Sequence, residues 1–256
     1  MILAKAAGES AADRHLYQGR DGHSAWVTPY FGTEPMADAS LPRPPENTLF
    51  PVAFMVEEFA NSTLGAHFHR ADQFQLFVRG DGRFGNAAIS PLSVHLASAF
   101  TPYGPISAGD RGLAYLTLRN GFDPGPRYMP QAEMELKRER TQQPHQKLIS
   151  IPAIDPTIVA ASIPVLDNGP NGWGIWHRRY PPFDRVVGVD VGGGGQYWVI
   201  SRGGAEIDGA IMDAFSCLFI PPGYSAPALQ PTSEGVDIIV LQFPARPPEI
   251  ASTSLQ

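Results

Sequence analysis

The chain has 256 residues, 43% of them hydrophobic, and a formal net charge of −6, enough for one or two domains with a real core. Its 19 basic residues are outnumbered by 25 acidic ones and form no stripe, which argues against a nucleic-acid partner. The single cysteine, Cys217, allows no internal disulfide, no run approaches the length of a membrane span, and the N-terminal stretch lacks a signal-peptide core, so a soluble cytoplasmic protein with no membrane partner is expected.

Residues 33–48, GTEPMADASLPRPPEN, read as an irregular arm. Such an arm can cover a sheet edge or swap within a homo-oligomer, most simply a dimer. The first clear strand is VAFMVEEF, 52–59. Its Glu57 and Glu58 alternate, so one faces inward, where it could serve as a general base. The segment NSTLGAHFHRADQFQLFVRG, 61–80, follows. His67 and His69 are two apart on a strand and share a face. Gln73 and Gln75 share a face with Phe77, and Asp72 is expected to point the other way, toward solvent. In PLSVHLASAF, His95 lies opposite Val94 and Leu96 and faces either a barrel lumen or water. Tyr103, in the turn TPYGPIS, is read as a proton donor or a packing aromatic. LAYLTLR, 113–119, is a closing strand, and PQAEMELKRERTQQ, 130–143, is the clearest helix.

Beyond the helix, GWGIWHRRYPPFDR, 172–185, groups Trp173, Trp176, His177, Arg178 and Arg179, either as strand packing or as a site for an anionic or aromatic ligand. The glycines at 192–195 precede a strand rather than a helix, so they are no phosphate loop. QYWVISRG (196–203), SCLFI with Cys217 as a buried thiol, and DIIVLQF (237–243) complete the strands, and the tail after Phe243 is expected to fray or drape over the surface.

The two halves repeat each other. Gln73, six strand residues ending in Arg79, and Gly80 correspond to Gln196, six ending in Arg202, and Gly203. TPYGPIS corresponds to PPGYSA, and GDRGLAYLTLR to SEGVDIIVLQF. Two copies of one all-β unit are the economical reading.

Segment 61–80 resembles the first cupin motif, with His67, His69 and Gly80 in place, Asn61 where the leading Gly would be and Gln73 where the Glu would be. Pro102 and Gly104 match the second motif, but Ser107 takes its His position and Arg111 its Asn position. In the second half Pro221, Gly223 and Gly203 match, Ala226 replaces the His, and Asp190 and Gly192 fall opposite the paired histidines. The chain is thus similar to bacterial bicupins. The resemblance implies an all-β fold of tandem double-stranded β-helix (jelly-roll) barrels: residues 1–128 as an N-terminal barrel with its arm, 129–148 as a helical connector, and 149–256 as a degenerate second barrel.

The resemblance also implies a metal on the N-terminal barrel. His67 and His69 would hold it, with Gln73 and His95 as further ligands. Imidazole-rich sites suit a divalent transition metal, iron first, then nickel, copper, zinc or manganese. The expected function is metal-dependent, dioxygenase-type oxidation of a small aromatic or enolic molecule, with Tyr103 and Glu58 as candidate catalytic groups. The alternatives are a non-oxidative cyclase, isomerase or lyase, and a sensor barrel without turnover.

Overall fold

The computed structural model describes residues 1–19, 22–32, 44, 48–140, 142–184, 186 and 191–246. Most of the arm at 33–48, the chain beyond Arg246 and Asp190 lie outside the described residues, so the expectations placed on them are not taken further.

Two antiparallel sheets dominate. The first runs, in spatial order, Gln146–Ser150, Ser93–Ala97, Gln73–Phe84, Ile106–Gly121, Leu49–Glu58, Ser24–Phe31 and His15–Gln18, with Thr63–Leu64 and Ala87–Ile89 attached at its sides. The second runs Leu3–Lys5, Cys217–Ile220, Gln196–Ile207, Gln230–Gln242, Gly174–Tyr180 and Ala161–Asp167, with Ala210–Met212 beside it. His67–Phe68 and Arg127–Tyr128 form a separate two-stranded ribbon.

The period-two alternation of the strands sorts side chains into three apolar layers. Phe74, Leu76 and Val78 of the first sheet meet Tyr197, Val199, Ile239 and Leu241 of the second in a shared core between the sheets. The alternate residues line the insides of the two barrels. Phe54, Val56, Phe77 and Tyr115 fill much of the first, and Trp198, Ile200, Leu218 and Val240 fill the second. Tyr197 locks the sheets together, its hydroxyl lying 2.6 Å from the Arg119 carbonyl and 3.0 Å from that of Val52. Cys217 is buried in the shared core, as expected of a structural thiol.

The halves exchange strands. Leu3–Lys5 pairs with Cys217–Ile220 in the second sheet, and Gln146–Ser150 pairs with Ser93–Ala97 in the first. The sequence division gave all of residues 1–128 to one barrel, and hydrophobic pattern alone does not say which sheet a terminal strand will join. The helix is shorter than expected, Glu133–Glu139, and Leu136 is its buried residue. It is also not alone, since Ala7–Ser10 and the 3-10 turn Ala11–Asp13 precede it.

The repeat has a backbone cause. Gly80 (φ 79°) and Gly203 (φ 69°) both adopt the left-handed conformation that suits glycine. A Cβ added at either would lie 2.1 Å from a carbonyl oxygen, that of Gly112 or Gly235 respectively. These paired glycines mark where each long strand shifts register against its closing strand. Gly80→Ala and Gly203→Ala are each expected to cost ~2 kcal/mol or more. Gly8→Ala, with open space around its Cβ, is expected to be neutral or slightly stabilising. Urea denaturation midpoints of the three variants check this.

Candidate functional site

Within the first barrel, register brings polar residues together. Gln73 pairs across the sheet with Arg119, and Gln75 pairs with Thr117 on one side and His95 on the other. His67 is bridged to Tyr103 through both backbone groups, at 3.0 and 2.9 Å. His67 lies in the short strand His67–Phe68 and His69 just past its end, and their rings are 5.1 Å apart. His67, His69, Gln73, Gln75, His95, Tyr103, Thr117 and Arg119 are all buried.

Arg119 organises this cluster. Its Nε and Nη2 both donate to Gln73 Oε1 at 3.1 Å. Nη2 also lies 3.1 Å from His69 Nε2, and Nη1 lies 3.3 Å from Asp123 Oδ2. His69 Nδ1 is 2.6 Å from the same carboxylate oxygen. Nδ1 therefore carries the proton, and Nη2, 3.1 Å from Nε2 and 3.2 Å from Nδ1, lies against the face of the ring. Burial, followed by the Arg119 charge, lowers the His69 pKa and keeps the ring neutral. Burial alone would raise the pKa of Asp123, but the facing His69 and Arg119 hold its carboxyl well below the usual range. Asp123 also accepts from the backbone N–H groups of Arg70 (2.8 Å) and Gly125 (3.0 Å).

His67 Nδ1 donates to the Gly65 carbonyl at 2.7 Å, which leaves Nε2 as the acceptor of the ring. Burial, with His69 and Arg119 adding to it, lowers its pKa to about 3. Burial likewise lowers His95 to about 3, so that ring is neutral too. Its Nε2 lies 3.2 Å from Gln146 Oε1 and its Nδ1 2.9 Å from the Gln75 side-chain amide. The Gln146 amide nitrogen donates to the Pro102 carbonyl, so the His95 ring lies between two amide oxygens, Gln75 Oε1 and Gln146 Oε1, either of which accepts its single N–H.

A cavity of about 80 Å3, partly open to solvent, reaches this cluster. His67, His69, Gln75, Thr117 and Arg119 line it, with Val27, Phe54 and Val56 among its apolar walls. Glu58 also lines it, and Glu57 does not, so the alternation argument selected a glutamate in the barrel. Glu57 instead meets Arg14 at 2.6 Å on the outside. Glu58 accepts from Tyr115 Oη at 2.9 Å and Ser62 Oγ at 3.3 Å, and sits 3.0 Å from His23 Nε2. In register Glu58 faces Leu113, whereas Arg119 faces Val52. The backbones at the two ends of the cavity are thus on the order of 20 Å apart along the strands. Glu58 lines the same cavity as the histidine pair and is engaged by three neighbours.

Other expected residues are placed differently. Tyr103 does not line the cavity. It is buried behind it, its hydroxyl accepting from Gln73 Nε2 and its ring against His67, His95 and Phe84, and so is not placed as a proton donor to a ligand. Ser107, in the second motif's His position, bonds Thr63 on the outside at 3.0 Å. Asp72 is turned away from the site as expected and is half-buried, its carboxylate accepting from the Ala99 N–H at 2.8 Å. In the second barrel Arg179 is spent on a bidentate pair with Asp237, at 2.7 and 2.8 Å, and Trp173 packs between the sheets. The interior core of that barrel is apolar, and Trp176 and Tyr180 pack against it.

A divalent metal would need lone pairs converging from the residues the motif supplies. Gln73 Oε1 is taken by the Arg119 guanidinium, which also lies against the His69 ring, and both nitrogens of His95 are engaged by glutamines. Among the described residues no group of three or more His, Cys, Asp or Glu is disposed to hold a metal ion. The residues as placed do not fit one. The outer hydrogen bonds of His67 to Gly65 and of His69 to Asp123 are nevertheless the kind that orient ligating imidazoles.

No family model and no curated protein sequence matches the chain. Solved structures do. A provisionally assigned dioxygenase of Nostoc punctiforme is 11% identical at a TM-score of 0.58, covering 97% of this chain and 84% of its own. The bacterial pirin YhhW of Escherichia coli, solved with nickel(II), is 12% identical at 0.55, covering 96% and 100%. A variant of salicylate 1,2-dioxygenase from Pseudoaminobacter salicylatoxidans, solved with gentisate, is 11% identical at 0.53, covering 89% and 81%. The shared feature is the cupin fold, all-β and built of antiparallel jelly-roll sheets.

Proposed function

We propose that the chain is a bicupin whose N-terminal barrel takes up a small organic molecule, with the second barrel serving as its structural support. The observation that carries this reading is the cavity itself: apolar walls leading to a compact polar floor of His67, His69, Gln75, Thr117 and Arg119. Binding sites for small molecules have this makeup, with mostly apolar contact and a few fixed polar groups that set orientation. Among the described residues, Trp198, Ile200 and Val240 pack the interior of the second barrel.

Thermal denaturation with a panel of small aromatic and aliphatic compounds tests this. At least one compound is expected to raise the Tm of the wild type, and Val27→Phe, which fills the cavity wall, should abolish the rise while leaving a folded protein. A panel that shifts neither Tm nor any ligand NMR signal would sink the reading.

A second reading, metal-dependent oxidation of dioxygenase type, has one observation in its favour: both motif histidines keep the outer hydrogen bonds of ligating imidazoles. It requires Arg119 to leave the donors it now engages. Elemental analysis of protein purified without chelators separates the two, because this reading demands close to one equivalent of a transition metal.

A further inference from the structure

We propose that Arg119 occupies the place of the metal, so that the barrel binds, metal-free, a small carboxylate carrying a neighbouring hydroxyl. The inference rests on the small-molecule reading above and names the ligand class.

Three features carry it. First, the cluster is polarised. Arg119 lines the cavity, whereas its counter-ion Asp123 does not. A ligand entering from solvent meets the guanidinium with the carboxylate behind it. Second, the guanidinium has unused capacity. Nε and Nη2 are committed to Gln73 and His69, but Nη1 makes only the 3.3 Å ion pair with Asp123 and no hydrogen bond. A guanidinium edge with free N–H groups in a low-dielectric wall favours a carboxylate oxygen. Third, the neighbouring cavity-lining group is an acceptor. His67 spends Nδ1 on Gly65, so Nε2 offers a lone pair and would repel a second anionic oxygen. A ligand that satisfies both groups presents an anionic oxygen to Arg119 and a hydroxyl hydrogen to His67. A 2-hydroxy carboxylate does so with adjacent atoms, and its apolar remainder lies along Val27, Phe54 and Val56. The Glu58 carboxylate sits at the far end of the cavity, engaged by Tyr115, Ser62 and His23, and does not oppose the anion.

The test uses three probes on the full chain in excess EDTA, followed by calorimetry or ligand-observed NMR. Mandelate carries both groups, phenylacetate lacks the hydroxyl, and mandelamide lacks the charge. Mandelate is expected to bind roughly 10-fold or more tightly than either. Arg119→Met should remove the preference for mandelate over mandelamide, and His67→Phe the preference over phenylacetate. The wild-type comparison stands alone if Arg119→Met does not fold. Equal binding of mandelate and mandelamide would overturn the anion seat and leave the small-molecule reading intact. Failure of all three probes, when other compounds of the panel bind, has the same consequence. About one equivalent of metal in the purified protein, with mandelate binding lost on chelation, would overturn the metal-free assignment.

Discussion

Asp123→Ala is expected to destabilise the protein by ~3–5 kcal/mol, the largest effect of any single polar substitution in the first barrel. The carboxylate is buried, accepts from His69 Nδ1 and from two backbone N–H groups, and pairs with Arg119 Nη1 at 3.3 Å. Its removal leaves a guanidinium without its counter-ion in a medium that solvates it poorly. The cost comes from that uncompensated charge rather than from the pair being intrinsically strong. Urea denaturation at pH 7 measures it, and a loss below ~1 kcal/mol would show that water reaches Arg119 freely. Asp123→Asn retains an acceptor oxygen but not the charge, so an intermediate loss is expected, and the difference between the two variants isolates the ionic part.

Stability is expected to fall steeply on mild acidification. His67 and His95 are buried and neutral, with pKa values lowered to about 3 from 6.5. In the unfolded chain both take up a proton as pH drops through 6.5, and in the folded chain neither does until pH 3. The unfolded state therefore binds more protons throughout that window. The stabilisation is fully present above pH 6.5 and is lost progressively down to pH 3. For these two residues the loss between pH 7 and 5 is about 4 kcal/mol, a large fraction of the stability of an ordinary domain. His69, shifted in the same direction, adds to it. Asp123 and Asp237, whose pKa values are lowered in the folded state, contribute a further loss only below the usual carboxylate range. Urea titrations at pH 7, 6 and 5 check the slope, and His95→Asn should reduce it. A flat profile from pH 7 to 5 would mean that the histidines are protonated or solvated in the folded protein.

The contrast between these residues shows what is legible in a strand sequence. His67, Gln73, Gln75 and Glu58 all fall inside the barrel, and alternation within their own strands is enough to say so, while His69 is buried beside them just past the end of its strand. The same argument applied to YLTLRN would have placed Tyr115, Thr117 and Arg119 on one face and Leu116 and Leu118 on the other, as they are found. An arginine on the inward face of a closing strand was therefore a readable signal that motif matching passed over. Asp123 gives no such signal, because it lies past the end of a strand, where no period applies. His23 likewise reaches Glu58 from a segment outside both motifs.

The sequence by itself determined the class of fold, the duplication, the glycines that shape each copy and the face on which His67 stands. All of these follow from local sterics and from a period of two residues, which a short window contains in full. Tertiary structure decided which sheet each terminal strand joins and what the histidines face. Cross-strand register set Arg119 opposite Gln73, 46 residues away, and a loop carboxylate then fixed both Arg119 and His69. Partners across a sheet are chosen by the packing of whole strands, so the charge standing before the two imidazoles is a property of the assembled barrel rather than of the motif.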